Sequence, residues 1–264
     1  MIFIPIGLAA VAVILFFVGR SKGSKALEMQ STETSTAAAL ATSAADVAKE
    51  LGAGSFSQVA EIKGTVECAT PLTSELSGTA CVWFRSTVTR EYEEQHTERD
   101  SEGHTRTVTR RGSENVSTNE RRTRFEVRDA TGVTTVDPEG AKLDGERILQ
   151  RFEQGDRGPA LSIGSLRIPL AALGLGRRTL GYKLEEWAIP VGRNIYVLGE
   201  ARDSGGSLVV AKPAAKGGRF IVSLKSEEEL VKSAKTGSSV LTIIAGVCAA
   251  GAAVLLVLVI LHVI

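Results

Sequence analysis

The side chains best suited to chemistry are few. Three cysteines (Cys68, Cys81, Cys248) and three histidines (His96, His104, His262) are the only soft ligands in 264 residues. A tetrahedral zinc site takes about four such ligands and a cross-braced pair about eight, so a two-zinc domain is excluded. His96, Asp100 and His104 form a sparse metal-like spacing. It fits no zinc signature and Gly103 makes the stretch a turn, so it reads as a solvated loop. Cys68 and Cys81 stand either as a redox pair or as two small hydrophobes on strands. A reactive thiol needs a lowered pKa, and only the nearby Arg85 would favour one. The chain has no Gly-x-Ser-x-Gly elbow, no Walker loop and no HExxH helix. Gly174-Leu175-Gly176-Arg177-Arg178-Thr179 starts like a dinucleotide fingerprint but lacks the third glycine and a leading strand. No catalytic residue, cofactor ligand or metal ligand is therefore expected.

The charged residues are balanced, 31 Lys+Arg against 30 Asp+Glu, and a net charge of +1 gives no reason to expect a nucleic-acid partner. Their placement is uneven. None lies in residues 1–18 or 240–264, while 85–128 alone holds ten arginines and nine acids. Such alternation is what the wet faces of paired strands carry, with cross-strand ion pairs. The rival reading is a surface for lipid headgroups or a partner, made by Arg106, Arg110, Arg111, Arg121, Arg122 and Arg124.

The uncharged ends read as membrane helices. Residues 240–264 run 25 positions without a charge, enough to cross about 30 Å of hydrocarbon at about 1.5 Å per residue. Residues 1–18 are shorter, and without a basic start or a small-x-small cleavage site they read as an uncleaved anchor rather than a signal peptide. Arg20, Lys22 and Lys25 follow the first span; Lys225, Lys232 and Lys235 precede the second. The positive-inside rule then places the middle domain in the cytoplasm, at a cell membrane expected to be prokaryotic. Gly246 and Ala249 lie on small-residue stripes of the second span that would permit helix packing, and so a homo-oligomer.

Between the spans, residues 19–54 form a juxtamembrane spacer or helix, rich in Ala, Ser and Thr and able to bury little. Residues 55–234 form the globular part. Strands are expected at 58–68, 81–91, 105–110, 124–129, 133–136, 180–189, 195–203, 208–212 and 219–224, most of them bounded by turn chemistry such as Ser204-Gly205-Gly206. Helical patterns cover 146–153 and 226–234, the second with Ser226 and Glu229 at capping-box spacing. The expected fold class is α+β: a mainly antiparallel, barrel-like β domain flanked by two transmembrane α-helices.

An ordered set of elements carries a resemblance: Pro71-Leu72, Ser77-Gly78 and Cys81-Val82; Phe125, Asp129 and Gly132; Val197-Leu198-Gly199-Glu200-Ala201; Lys212-Pro213; and Phe220 with Ser223. With its order of span, domain and span, the chain resembles the GIDE family, also called the BAM or "beside a membrane" domain, which includes RING-type mitochondrial ubiquitin ligases and prokaryotic relatives. The resemblance implies structural roles for Pro71, Leu72, Gly78, Cys81, Gly199, Glu200, Lys212 and Pro213. In the ligase members a zinc-binding RING follows the second span, and no RING ligands follow it here. The expectation is a membrane-anchored, non-catalytic module that recruits or senses a protein or lipid partner. The alternative is a component of an E3 ubiquitin ligase whose RING lies on another chain.

Overall fold

The computed structural model describes residues 3–31, 33–99, 103–154, 160–163, 166–169, 177–204 and 207–261. Asp100, the Gly174–Gly176 stretch, the Gly205-Gly206 turn and His262 lie outside them. The described residues form fourteen strands and three helices, a mixed α+β chain made mainly of strands. They divide into two units: Ser35–Leu224, and the terminal segments Met1–Thr34 with Lys225–Ile264.

The first unit is organised by a five-stranded barrel. Its strands are β1 (Ser57–Glu67), β5 (Phe125–Arg128), β6 (Val133–Val136), β12 (Asn194–Ser204) and β13 (Ser207–Ala211). They follow one another as β1, β5, β6, β13 and β12, and β12 returns to β1 to close the ring. Closure works because β12 is long enough to serve both edges. It pairs with β1 from Ser57↔Arg202 to Thr65↔Asn194 on one side, and with β13 through 200–204 on the other. Beside β13 on that edge lies β14 (Ile221–Ser223), which pairs in parallel with β7 (Lys142–Asp144). Inside, the period-2 pattern of β-branched and aromatic residues delivers Ala60, Ile62, Val66, Phe125, Val127, Val136, Ile195, Val197, Ala201 and Val210 to one core. Gly199 is in phase with Val197 and Ala201, and a methyl there would lie 2.9 Å from both Phe220 and Val210. The family position is a packing requirement: the barrel has room for no side chain at that point.

The second sheet is built on β3 (Ala80–Arg99) and β11 (Arg177–Pro190). It runs β2 (Leu72–Thr73), β3, β11, β8 (Glu146–Gln154), with β4 (Thr105–Arg122) also pairing β3. At the inner end Val82, Trp83 and Ile189 contribute to the barrel core. Further along lie two small clusters, one of Cys81, Phe84 and Ala188, the other of Leu76, Val88, Tyr182 and Leu184. A final pair, β9 (Ala160–Ile163) and β10 (Leu166–Pro169), forms a two-stranded sheet of its own.

One expectation about helices changes. Residues 146–153 are not helical but an edge strand, paired with β11 from Ala188↔Glu146 to Gly181↔Gln154 with a bulge at Trp187. Pairing to a long neighbour outweighs a helical propensity that is weak over eight residues. The segment read as a spacer or helix contains α2 (Ala37–Leu51), which packs Leu40, Ala44 and Val47 against the barrel core. Its start is fixed twice. Thr36 accepts from the Ala39 amide, and Asp129 accepts from the Ala37 amide at 2.7 Å, with the helix dipole favouring that carboxylate.

In the terminal unit, α3 (Glu227–Ile260) is one continuous helix of 34 residues. The capping box is present: Ser226 accepts from the Glu229 amide and Glu229 from the Ser226 amide. Residues Glu227–Val259 make it the one helix, among the described residues, that is long and apolar enough to span a bilayer. α1 (Phe3–Ser31) is helical for 29 residues, but its apolar part is only Ile6–Ser21. Sixteen residues reach about 24 Å, short of a core of about 30 Å. The expectation of two spans is corrected to one candidate span. The helices pack together, with Ser238 Oγ donating to the Gly19 carbonyl at 2.8 Å. A Cβ at Gly19 would crowd Thr242, Leu241 and the Ser238 carbonyl at 3.2–3.3 Å. Ala12 and Ala245, one heptad away on each helix, are buried, as is Ala252. Gly246 has open space around it and Ala249 is exposed, so that row faces away from α1.

Candidate functional site

The six arginines of the expected surface lie on or beside the β3–β4 hairpin, but the strand register divides them. Arg106 opposes Glu98, Arg110 opposes Glu94 and Arg121 opposes Phe84, on the face shared with Val88 and Arg90. Arg111 opposes Glu93 and Arg122 opposes Trp83, on the other face. Arg124 lies past the end of β4. Arg110 is bound to Glu98, Arg122 to Glu120 at 2.8 Å and Arg124 to Asp137 at 2.7 Å. Arg106, Arg111 and Arg121 make no ion pair with a described residue. The cluster seen in sequence is thus two opposed sets, half neutralised by neighbours.

Charge is concentrated instead around Arg90, which only its phase with Phe84, Ser86 and Val88 along β3 marks in sequence. Its side chain is 2 % exposed. Nε donates to Thr179 Oγ1 and an Nη to Glu114, both at 2.8 Å, and the other Nη to the Arg177 carbonyl at 3.3 Å. Tyr92 lies beside it, with Arg90 5.6 Å and Arg177 4.5 Å from the ring centre. Arg177 also pairs with Glu94 at 2.8 Å and Glu114 at 3.4 Å. His96 bonds Glu94 at 2.8 Å. The His96 bond first, and Arg177 next, hold the Glu94 carboxyl below the usual carboxylate range. Each cation here has an acceptor, so the arrangement fixes the sheet and leaves no vacant charge for a reactant.

Four of the family residues, Pro71, Leu72, Gly78 and Cys81, belong to the segment around a second buried charge. Glu186 is fully buried on β11, and its two oxygens accept from the Leu76 and Ser77 amides at 2.9 Å each. These amides belong to the turn that follows β2, where Gly78 adopts φ +72°, a conformation that disfavours side chains. Glu75, from the same turn, accepts from Ser86 at 2.7 Å and from Asn119. The turn from Pro71-Leu72 to Gly78 is therefore tied down by carboxylates on both sides. Cys81 lies beneath it; burial first, and Glu186 next, push its thiol up to about 11. Cys68 and Cys81 are both free thiols, with Cys68 directed at the Arg124 carbonyl at 3.6 Å. Glu200 accepts from the Ala214 amide at 3.1 Å, next to Pro213. Lys212 lies across Gly140, where a Cβ would meet its side chain at 2.8 Å. Asp129 accepts from Ala37, Thr131 and Gly132. Burial alone would raise its carboxyl, but those donors outweigh it and hold the group low.

Among the described residues no group of three or more His, Cys, Asp or Glu is placed to hold a metal ion. His104 directly precedes β4, and Asp100 lies outside the described residues. Arg177 and Arg178 of the glycine-rich stretch lie on β11, where Arg178 pairs with Glu93 at 2.8 Å. Sequence reasoning missed Arg90, Arg177, Glu114 and Glu186, whose roles depend on which strands become neighbours.

The described residues thus comprise a closed β barrel extended by an ion-paired sheet, and one long apolar helix. The GIDE family pattern, described as E3 ubiquitin ligase, matches residues 93–258, more than half the chain. The chain belongs to the GIDE family. No curated protein and no solved structure matches it.

Proposed function

We propose that the chain is a membrane-held interaction module, in which the β domain recruits or senses a protein or lipid partner at the bilayer surface. One observation supports this reading: the family match, residues 93–258, takes in both the later part of the domain, from the outer part of β3, and most of the candidate span. The fate of the titratable residues supports recruitment over chemistry. Glu186 holds a turn, Asp129 caps a helix, and Arg90 locks a sheet. In this reading the domain lies on the cytoplasmic side, the side of Lys225, Lys232 and Lys235 that precede the apolar part of α3. The row of Gly246 and Ala249 is left for a second copy of the chain. Arg106, Arg111 and Arg121, exposed and without an ion pair to a described residue, are the cations of the six that this reading gives to a partner. The test is crosslinking capture in membranes with the full chain, beside a version in which residues 55–234 are replaced by an inert domain. A partner retained by both would sink the reading.

The family description favours a second reading, participation in ubiquitin transfer. It predicts that the chain, added to ubiquitin-charged conjugating enzyme with a captured RING partner, speeds discharge of the thioester. Equal rates with and without the chain would remove it.

A further inference from the structure

The long sheet has two edge strands, and their charges differ. On β8, Glu146, Arg147, Arg151 and Glu153 each have an ion pair with a described residue. On the other edge, β4 pairs with β3 from Thr105 to Arg122, and among the described residues no strand lies on its outer side. β4 carries five arginines and two acids. Both acids are committed, Glu114 to Arg90 and Arg177, Glu120 to Arg85 and Arg122. Arg106, Arg111 and Arg121 are exposed and make no ion pair with a described residue.

These three arginines lie on opposite faces of the sheet. Arg106 and Arg121 share the face of Arg90, and Arg111 is on the other. A flat anionic surface such as a bilayer meets one face only. A strand added beside β4 meets both, because its successive side chains point alternately to the two faces. The run Thr105–Asn115 faces Arg99–Thr89 in unbroken register, an edge about 36 Å long. Alternate residues of an edge strand turn their N–H and C=O groups away from the strand already paired and offer them to a further one.

We propose that the outer edge of β4 docks an extended acidic segment of a protein partner, which joins the sheet as a further strand. On the recruiting reading above, on which this rests, the edge is where the partner's own chain enters. Main-chain hydrogen bonds supply the affinity of strand addition, and the side chains beside the strand supply the selection. Carboxylates opposite Arg106 and Arg111 stand five positions apart and so fall on opposite faces, as the arginines they meet do. A second copy of β4 is the wrong occupant, since two arginine-rich edges side by side set like charges against each other.

The test uses the full chain in zwitterionic detergent micelles and a fluorescent eleven-residue peptide of Thr and Ser with two Glu five positions apart, followed by anisotropy. A peptide with its two Glu four positions apart keeps the charge but sets both on one face, and should bind about threefold more weakly. N-methylation at alternate positions blocks one side of the added strand. One alternate set should weaken binding about tenfold, by removing hydrogen bonds to β4, and the other about twofold or less. Arg106→Glu with Arg111→Glu should weaken the Glu peptide about tenfold and let the same peptide bind when Lys replaces its Glu. Equal losses from both N-methyl sets, or equal binding of the two Glu spacings, would show that charge alone acts, as it would towards a lipid headgroup, and overturn strand addition. Failure of the wild-type chain to bind the peptide overturns it too. The membrane capture described above separates this from the module itself. A domain-dependent partner that the charge-reversed chain still holds overturns the edge alone, whereas a partner held without residues 55–234 overturns the module.

Discussion

The barrel and the outer half of the long sheet are joined by the same two strands, β3 and β11, yet they bury different things. The barrel end places Val82, Trp83 and Ile189 against Phe125, Val197 and Val210 in an apolar core. Seven residues past Trp83 along β3, the buried side chain is Arg90, held by Glu114 and Thr179. A barrel closes on itself and can exclude water with hydrocarbon alone. An open sheet end has too few apolar neighbours, and holds its shape by giving each charge a partner. Stability should therefore concentrate in the barrel, and specificity of pairing in the sheet.

Substitutions can break that contrast. Phe125→Ala in the barrel should cost about 3–5 kcal/mol, read as a shift in the urea midpoint of the full chain in micelles, followed by Trp83 and Trp187 emission. A loss under about 1 kcal/mol would mean that the barrel does not hold the main core. Glu186→Ala should cost about 1–3 kcal/mol, because two buried amides lose their acceptor. Glu186→Gln, which keeps one acceptor oxygen, should recover part of this. Asp129→Ala should cost about 1 kcal/mol, the usual worth of a helix-capping oxygen. Its pH dependence sharpens the point. The folded carboxyl ionises below its ordinary range, so its contribution is complete above the unfolded value of about 3.9 and fades as pH falls through the lower folded one. The gap between wild type and Asp129→Ala should be flat above about pH 5 and close in stronger acid. Arg110→Ala, at an exposed pair with Glu98, should cost about 0–0.5 kcal/mol and less in high salt. If it matched Glu186→Ala, the ranking of buried over exposed charge would fail.

The barrel was largely legible in the sequence because its strands obey a period of two and end at turns. The expected 133–136 is β6 itself, and 195–203 falls one residue inside β12 at each end. The long sheet was less legible. β3 runs to Arg99 and β4 to Arg122, well past the expected 91 and 110, because charged and Thr-rich stretches carry no apolar alternation once ion pairs replace core contacts. Helix α2 was under-read for a related reason: Leu40 and Val47 do its burying among alanines, and their target, the barrel wall, is made of distant residues. The surface of six arginines was legible as composition only. Which face each occupies depends on the β3–β4 bulge after Val88, and a bulge leaves no mark in the residue types around it.

The turn clamped by Glu186 has a consequence on the timescale of solvent exchange. Amides in a four-residue surface turn ordinarily trade protons with water quickly, since brief local opening exposes them. Those of Leu76 and Ser77 are bound to a carboxylate with no exposed surface on the neighbouring strand. In deuterated buffer they should keep their protons about as long as the strand amides of β11, so the turn reports as part of the sheet it covers.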